Sequence, residues 1–91
     1  IKYLKSHFTS ISDTIEVYND TINHPVSNKK IEITNLLIRH NTKANERYLF
    51  MAHFDTRDRA DKDKDPNNIN NPIIGANDGA SGVALLMEIS N

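Results

Sequence analysis

The 91-residue chain contains no cysteine, which excludes a disulfide framework and any cysteine-based zinc knuckle. It has no apolar run approaching the roughly 20 residues of a membrane span, and no signal-peptide pattern is visible. Charge of one sign is lacking too. Eleven Lys and Arg against twelve Asp and Glu leave a formal net charge of −1, which removes the electrostatic case for a nucleic acid or an anionic membrane partner. With 37% hydrophobic residues, the chain has apolar material for at most one small domain.

The apolar residues that are present fall into distinct patterns. Ile1, Leu4, Phe8 and Ile11 recur at helical spacing, so a helix with one buried stripe is predicted over residues 1–11. Ser12-Asp13 ends it. Ile15 and Val17 then alternate with Glu16 and Tyr18, the mark of a half-buried strand. Asn23-His24-Pro25 and Ser27-Asn28 supply turn chemistry before a second strand over Lys30 to Arg39. After a polar turn, Tyr48-Leu49-Phe50-Met51-Ala52 is a short unbroken apolar run that reads as a buried strand of a mostly parallel sheet. Three such strands with short turns predict a meander at the edge of a mixed sheet. Residues 57–71 are charged and Asn-rich, the profile of a functional lid or mobile loop. From Gly82 onward, Val83, Leu86 and Met87 with Leu85 and Ile89 build an apolar helix.

Chemistry concentrates where the apolar runs break. His53 follows the third predicted strand directly, and chemistry in open parallel sheets sits beyond the carboxyl ends of strands. Imidazole nitrogen and carboxylate oxygen are ligands that a zinc-type ion favours. Asp55, two residues on along an extended chain, points the same way. Its carboxylate can accept the second imidazole N–H, which fixes the tautomer and makes the ligating nitrogen more basic. Asp78 lies in Gly75-Ala76-Asn77-Asp78-Gly79-Ala80-Ser81-Gly82, just ahead of a helix whose positive end favours an ionised carboxylate. Each residue also has a purely structural explanation. His53 can be satisfied by backbone groups, Asp55 can start a loop, and Asp78 can cap a helix. Two metal-compatible motifs in one short chain weigh against coincidence.

Other motifs fail on spacing. Asp61-Lys62-Asp63-Lys64-Asp65 begins like a calcium-binding EF-hand loop, but Pro66 and Pro72 stand where Gly and the bidentate Glu are required. The glycines around Asp78 match neither a dinucleotide fingerprint nor a P-loop. Ser81 has Gly82 directly after it and is no nucleophile-elbow serine. His7, His24 and His40 have no carboxylate at useful spacing and read as surface residues.

Ala52-His53-Phe54-Asp55-Thr56-Arg57, Ala60-Asp61, Asp65-Pro66 and Pro72-Ile73-Ile74-Gly75-Ala76-Asn77-Asp78-Gly79-Ala80-Ser81-Gly82-Val83 closely resemble the M28 family of zinc peptidases and cyclases. Within it they look most like bacterial relatives of animal-type glutaminyl-peptide cyclotransferases. The match is close over about residues 47 to 91 and loose before that. It implies a three-layer α/β/α sandwich around a mixed, mainly parallel sheet. Residues 1–91 would be the N-terminal part of one such catalytic domain, truncated at both ends, since the chain opens on Ile1 and stops at Asn91 in a helical pattern.

By the same resemblance, Asp78 is the zinc-binding Asp, and it bridges both ions in two-zinc peptidases, where His53 ligates one of them. In single-zinc cyclases the His stays beside the site without holding metal. Asp55 matches the orienting carboxylate of the catalytic site. The general-base Glu and the remaining ligands lie beyond residue 91. The implied activity is cyclisation of N-terminal Gln to pyroglutamate with release of ammonia, using one Zn2+. The alternatives are an aminopeptidase with two Zn2+ and a non-catalytic interaction domain on the same scaffold. Peptide or protein N-termini would be the partners, and bacterial relatives imply an exported or periplasmic location.

Overall fold

The structure, a computed structural model, describes all of residues 1–91. Its elements run α1 (Lys2–Thr9), β1 (Thr14–Asn23), β2 (Lys30–Arg39) and α2 (Ala80–Ile89). The chain forms two compact units, Ile1–Arg47 with Ser90 and Tyr48–Ile89 with Asn91. No helix is long and apolar enough to cross a membrane.

In the first unit, the helix predicted over 1–11 forms over Lys2–Thr9 and leaves Ile11 beyond its end, and Phe8 is its buried anchor at 4% exposure. Carbonyl oxygen of Phe8 accepts the backbone N–H groups of Ile11 and Ser12 and the Ser12 hydroxyl, which ends α1. β1 and β2 pair antiparallel with Ile15 opposite Ile38 and Val17 opposite Leu36, so the half-buried apolar residues share one face. Glu16 and Tyr18 lie on the other, as their alternation predicts.

The hairpin is longer than predicted, because β1 runs on to Asn23 through a polar, exposed half that hydrophobic alternation does not mark. Asn19 and Thr34, directly opposite each other, join their side chains at 2.9 Å there. His24 turns out to be a turn residue with a job. Its Nδ1 accepts the N–H groups of Val26 and Ser27, and Asn28 takes the left-handed φ of 54° that Asn tolerates.

Two expectations are corrected. Tyr48–Ala52 forms no ladder, and Tyr48, Leu49, Phe50 and Met51 are 64–83% exposed rather than buried. The sheet is therefore an antiparallel pair, not a three-stranded meander and not a mainly parallel layer. A run apolar on both faces is stable as a strand only between two hydrogen-bonded neighbours, and these residues supply none. The mixed α/β character holds. The three-layer sandwich is not formed by these residues.

In the second unit, the loop 57–71 has internal order. Ala60 N–H donates to the Asn71 carbonyl at 2.9 Å, closing its neck. Arg59 reaches Asn70 at 3.0 Å and Arg57 pairs with Asp61 at 2.9 Å. Asp63 and Asp65 spend a carboxylate oxygen each on nearby backbone N–H groups, in agreement with a solvated loop rather than a calcium site. Helix α2 starts at Ala80, two residues earlier than predicted.

Across the hairpin, Glu16 accepts from the Tyr18 hydroxyl and from Arg39 Nε at 3.1 Å. The Tyr18 bond first, and then Arg39, hold the Glu16 carboxyl below its ordinary value of 4.5. Because the folded value is the lower one, this pairing stabilises the hairpin above the ordinary value and is lost as pH falls through the folded one. Both side chains remain well exposed, so solvent screens the effect. Melting temperature followed against pH should therefore fall less steeply on the acid side in Glu16→Gln than in the wild type. Parallel acid limbs would show that the pairing contributes nothing.

Candidate functional site

The three residues singled out by sequence come together in the second unit. His53 Nε2 stands 3.0 Å from Asp78 Oδ1. On the other side of the ring, Nδ1 lies 3.2 Å from the Asp55 backbone carbonyl and 3.5 Å from Asp55 Oδ1. The imidazole is thus held between two aspartates, Asp55 beside it on the same segment and Asp78 delivered by the turn ahead of α2.

Asp55 holds the ring differently from the expectation. The carboxylate was predicted to accept the Nδ1 proton, but 3.5 Å is long for a hydrogen bond and the carbonyl is closer. The carbonyl is the better acceptor, with the carboxylate adding charge from alongside. Residue identity at 55 therefore matters less than its backbone position.

Asp78 is not a helix cap. Since α2 begins at Ala80, the cap position belongs to Gly79, and the Asp78 carboxylate takes the imidazole as partner instead. The turn is tied by other groups. Ser81 Oγ donates to the Asn77 carbonyl at 2.7 Å, and Ala80 N–H donates to the Gly75 carbonyl at 3.3 Å. Ser81 is structural, as its motif context predicts.

Sequence reasoning left the glycines as generic turn formers, and the structure gives them specific neighbours. Gly75, Gly79 and Gly82 each abut the segment that carries His53. A Cβ at Gly75 would meet Thr56 Cγ2 at 2.6 Å, one at Gly79 would meet His53 Cε1 and the His53 carbonyl at 3.3 Å, and one at Gly82 would meet Ala52 Cβ at 3.1 Å. Gly79 is buried, while the His53 and Asp78 side chains it separates from the interior are 57% and 89% exposed.

The His53–Asp78 pair fits a divalent cation in donor type and spacing. Two ligands on a tetrahedral zinc at about 2.0–2.1 Å stand about 3.3 Å apart, close to the 3.0 Å observed. The same distance is also an ordinary hydrogen bond. With Nδ1 facing oxygens on one side and Nε2 facing a carboxylate on the other, a proton or a metal ion must occupy the Nε2 side, since two bare lone pairs repel. No group of three or more His, Cys, Asp or Glu is positioned to hold a metal. The pair can contribute part of a coordination shell and not a whole one.

Removal of the Asp55 carboxylate leaves the carbonyl that holds Nδ1 in place. Asp55→Asn should accordingly weaken zinc affinity of the full-length protein by about tenfold, the lower end of what outer-sphere partners contribute. Zinc titration would show this. A loss of a hundredfold or more would mean that the carboxylate, not the carbonyl, fixes the ring.

Comparison with known proteins places the chain in a family. Residues 35–91 match the family model of peptidase family M28. The crystal structure of Fimbriiglobus ruber glutaminyl cyclase is similar over 98% of this chain, with 27% sequence identity and a TM-score of 0.87. The matched part is 30% of that cyclase chain. No curated protein matches. With the family match covering well over half of the chain and the His53 and Asp78 motifs inside it, the chain belongs to peptidase family M28.

Proposed function

We propose that these residues are part of a zinc-dependent glutaminyl cyclase, which converts N-terminal Gln of peptides to pyroglutamate and releases ammonia. The observation that carries the proposal is the likeness to a glutaminyl cyclase across nearly the whole chain, at a TM-score of 0.87. The Asp55-Thr56-Arg57 and Asn77-Asp78-Gly79 sequences support it further. In the complete domain, a three-layer α/β/α sandwich with a mainly parallel sheet would flank the apolar run 48–52, which is written for a buried strand.

In this reading Asp78 is a zinc ligand. His53 Nε2 faces Asp78 Oδ1, which orients the carboxylate and leaves its other oxygen for the ion. Asp55 holds the opposite side of the imidazole through Nδ1. Zinc bound there supplies Lewis acidity, polarising the γ-amide carbonyl of the substrate. The α-amine then forms the new C–N bond as the bond to the departing ammonia breaks. A proton passes from the amine to that leaving group, and none of these 91 residues is placed to carry it.

An M28 aminopeptidase is the second reading. It is favoured by the same exposed Nε2, which becomes a ligand if a second ion displaces the proton. Two ions about 3.5–4 Å apart and bridged by Asp78 would activate water there.

The full-length zinc-loaded protein, offered one peptide beginning with Gln and one beginning with Leu, should release ammonia from the first and leave the second intact. Removal of Leu with two zinc ions per protein would replace the cyclase by the aminopeptidase. Asp78→Ala should abolish turnover with little change in melting temperature, since its carboxylate is largely exposed and its turn is tied by Ser81 and the backbone. Full activity in that variant would remove Asp78 from the site.

A further inference from the structure

We infer that Gly79 is a positioning residue for the His53–Asp78 pair. Its lack of a side chain, at a left-handed backbone that side chains disfavour, sets where the imidazole sits. This rests on the reading of Asp78 as a metal ligand steadied or joined by His53.

Three observations converge on it. Gly79 is buried, unlike the rest of its turn, in which Asn77, Asp78 and Ala80 are exposed. It adopts φ of 94°, a left-handed backbone that side chains disfavour. The hydrogen that stands in place of a Cβ faces the one segment that carries the site. The missing methyl would lie 3.3 Å from His53 Cε1, 3.3 Å from the His53 carbonyl and 3.4 Å from the Asp55 carbonyl.

Those three atoms have related roles. Cε1 is the ring carbon between Nδ1 and Nε2, so pressure on it tilts both nitrogens together. The Asp55 carbonyl is the acceptor that holds Nδ1 at 3.2 Å. Asp78, on the other side of Nε2 at 3.0 Å, is the residue immediately before Gly79. A single methyl at position 79 would therefore push the ring, its acceptor and the Asp78 peptide apart at once. Nine in ten real Cβ contacts are looser than 3.3 Å, and neither the ring, held on both sides, nor a backbone carbonyl gives way easily.

Gly75 and Gly82 differ in what they face. A Cβ at Gly75 would strike the Thr56 methyl and the Asp78 carbonyl, and one at Gly82 the Ala52 methyl, so neither would meet the imidazole. Gly82 lies inside α2 without a left-handed φ, so Gly82→Ala serves as a packing control on the same stripe.

The test uses the full-length protein with selectively labelled histidine. In Gly79→Ala the Cε1–H resonance of His53 should move already in the metal-free protein, and zinc affinity should fall about 10–100-fold, as for other residues that orient ligands. Gly82→Ala should change melting temperature without moving that resonance. In a His53→Ala background, Gly79→Ala should weaken zinc binding less than it does with His53 present, because the ring carbon it meets is gone while the two carbonyls remain.

An unmoved His53 resonance, or the same loss of affinity with and without His53, would overturn the inference. If Gly79→Ala does not fold, the double variant decides. Recovery of folding in His53→Ala/Gly79→Ala assigns the conflict to the imidazole, and no recovery assigns it to backbone strain and contradicts the inference. Wild-type protein that binds no zinc would remove the metal reading, while the metal-free resonance would still test Gly79 itself.

Discussion

Backbone closeness at Gly79 is the constraint on which the site depends. His53 and Asp78 are separated by 24 intervening residues, including a charged loop, and neither side chain is buried. Solvent-exposed charged groups gain little from their mutual attraction, so the pairing of these two cannot hold the turn in place. What holds it is contact between main chains. The absence of a methyl at 79 lets the turn lie on the His53–Asp55 backbone, and the companion hollows at Gly75 and Gly82 receive Thr56 and Ala52.

A second tension runs through the same unit. Tyr48, Leu49, Phe50 and Met51 lead into His53 with apolar side chains on both faces, and all four are largely exposed. Exposed apolar surface of this extent is unfavourable in water. The similarity to a glutaminyl cyclase covers nearly all of this chain but under a third of that one. The segment is built to be flanked. Its apolar character on both faces is that of a strand with sheet neighbours, which these 91 residues do not provide. That explains why a reading based on apolar character predicts a strand at a place where no ladder forms.

Legibility in the sequence followed the kind of signal involved. The Ile15/Val17 alternation and the Lys30–Arg39 run marked both strands because side-chain pattern and burial agree there. The polar second half of β1 was not legible, since cross-strand backbone bonds leave no hydrophobic trace. His24 read as an idle surface histidine because an imidazole accepting backbone N–H groups needs no carboxylate partner. His53, Asp55 and Asp78 were legible by residue type and by their position at the ends of apolar segments. The acceptor for Nδ1 was not, because sequence names a side chain and the closer oxygen is a carbonyl. Likewise, the glycines around Asp78 suggest a tight turn and close packing, but only coordinates show that Gly79 lies against the imidazole.

The most direct test is zinc-edge anomalous diffraction from crystals of the full-length protein grown with zinc. The expected result is an anomalous peak about 2.0–2.2 Å from an Asp78 carboxylate oxygen, with the His53 imidazole beside it and Gly79 still against the ring. A peak held by other residues, with Asp78 turned away from it, would contradict the assignment of this turn as part of the metal site.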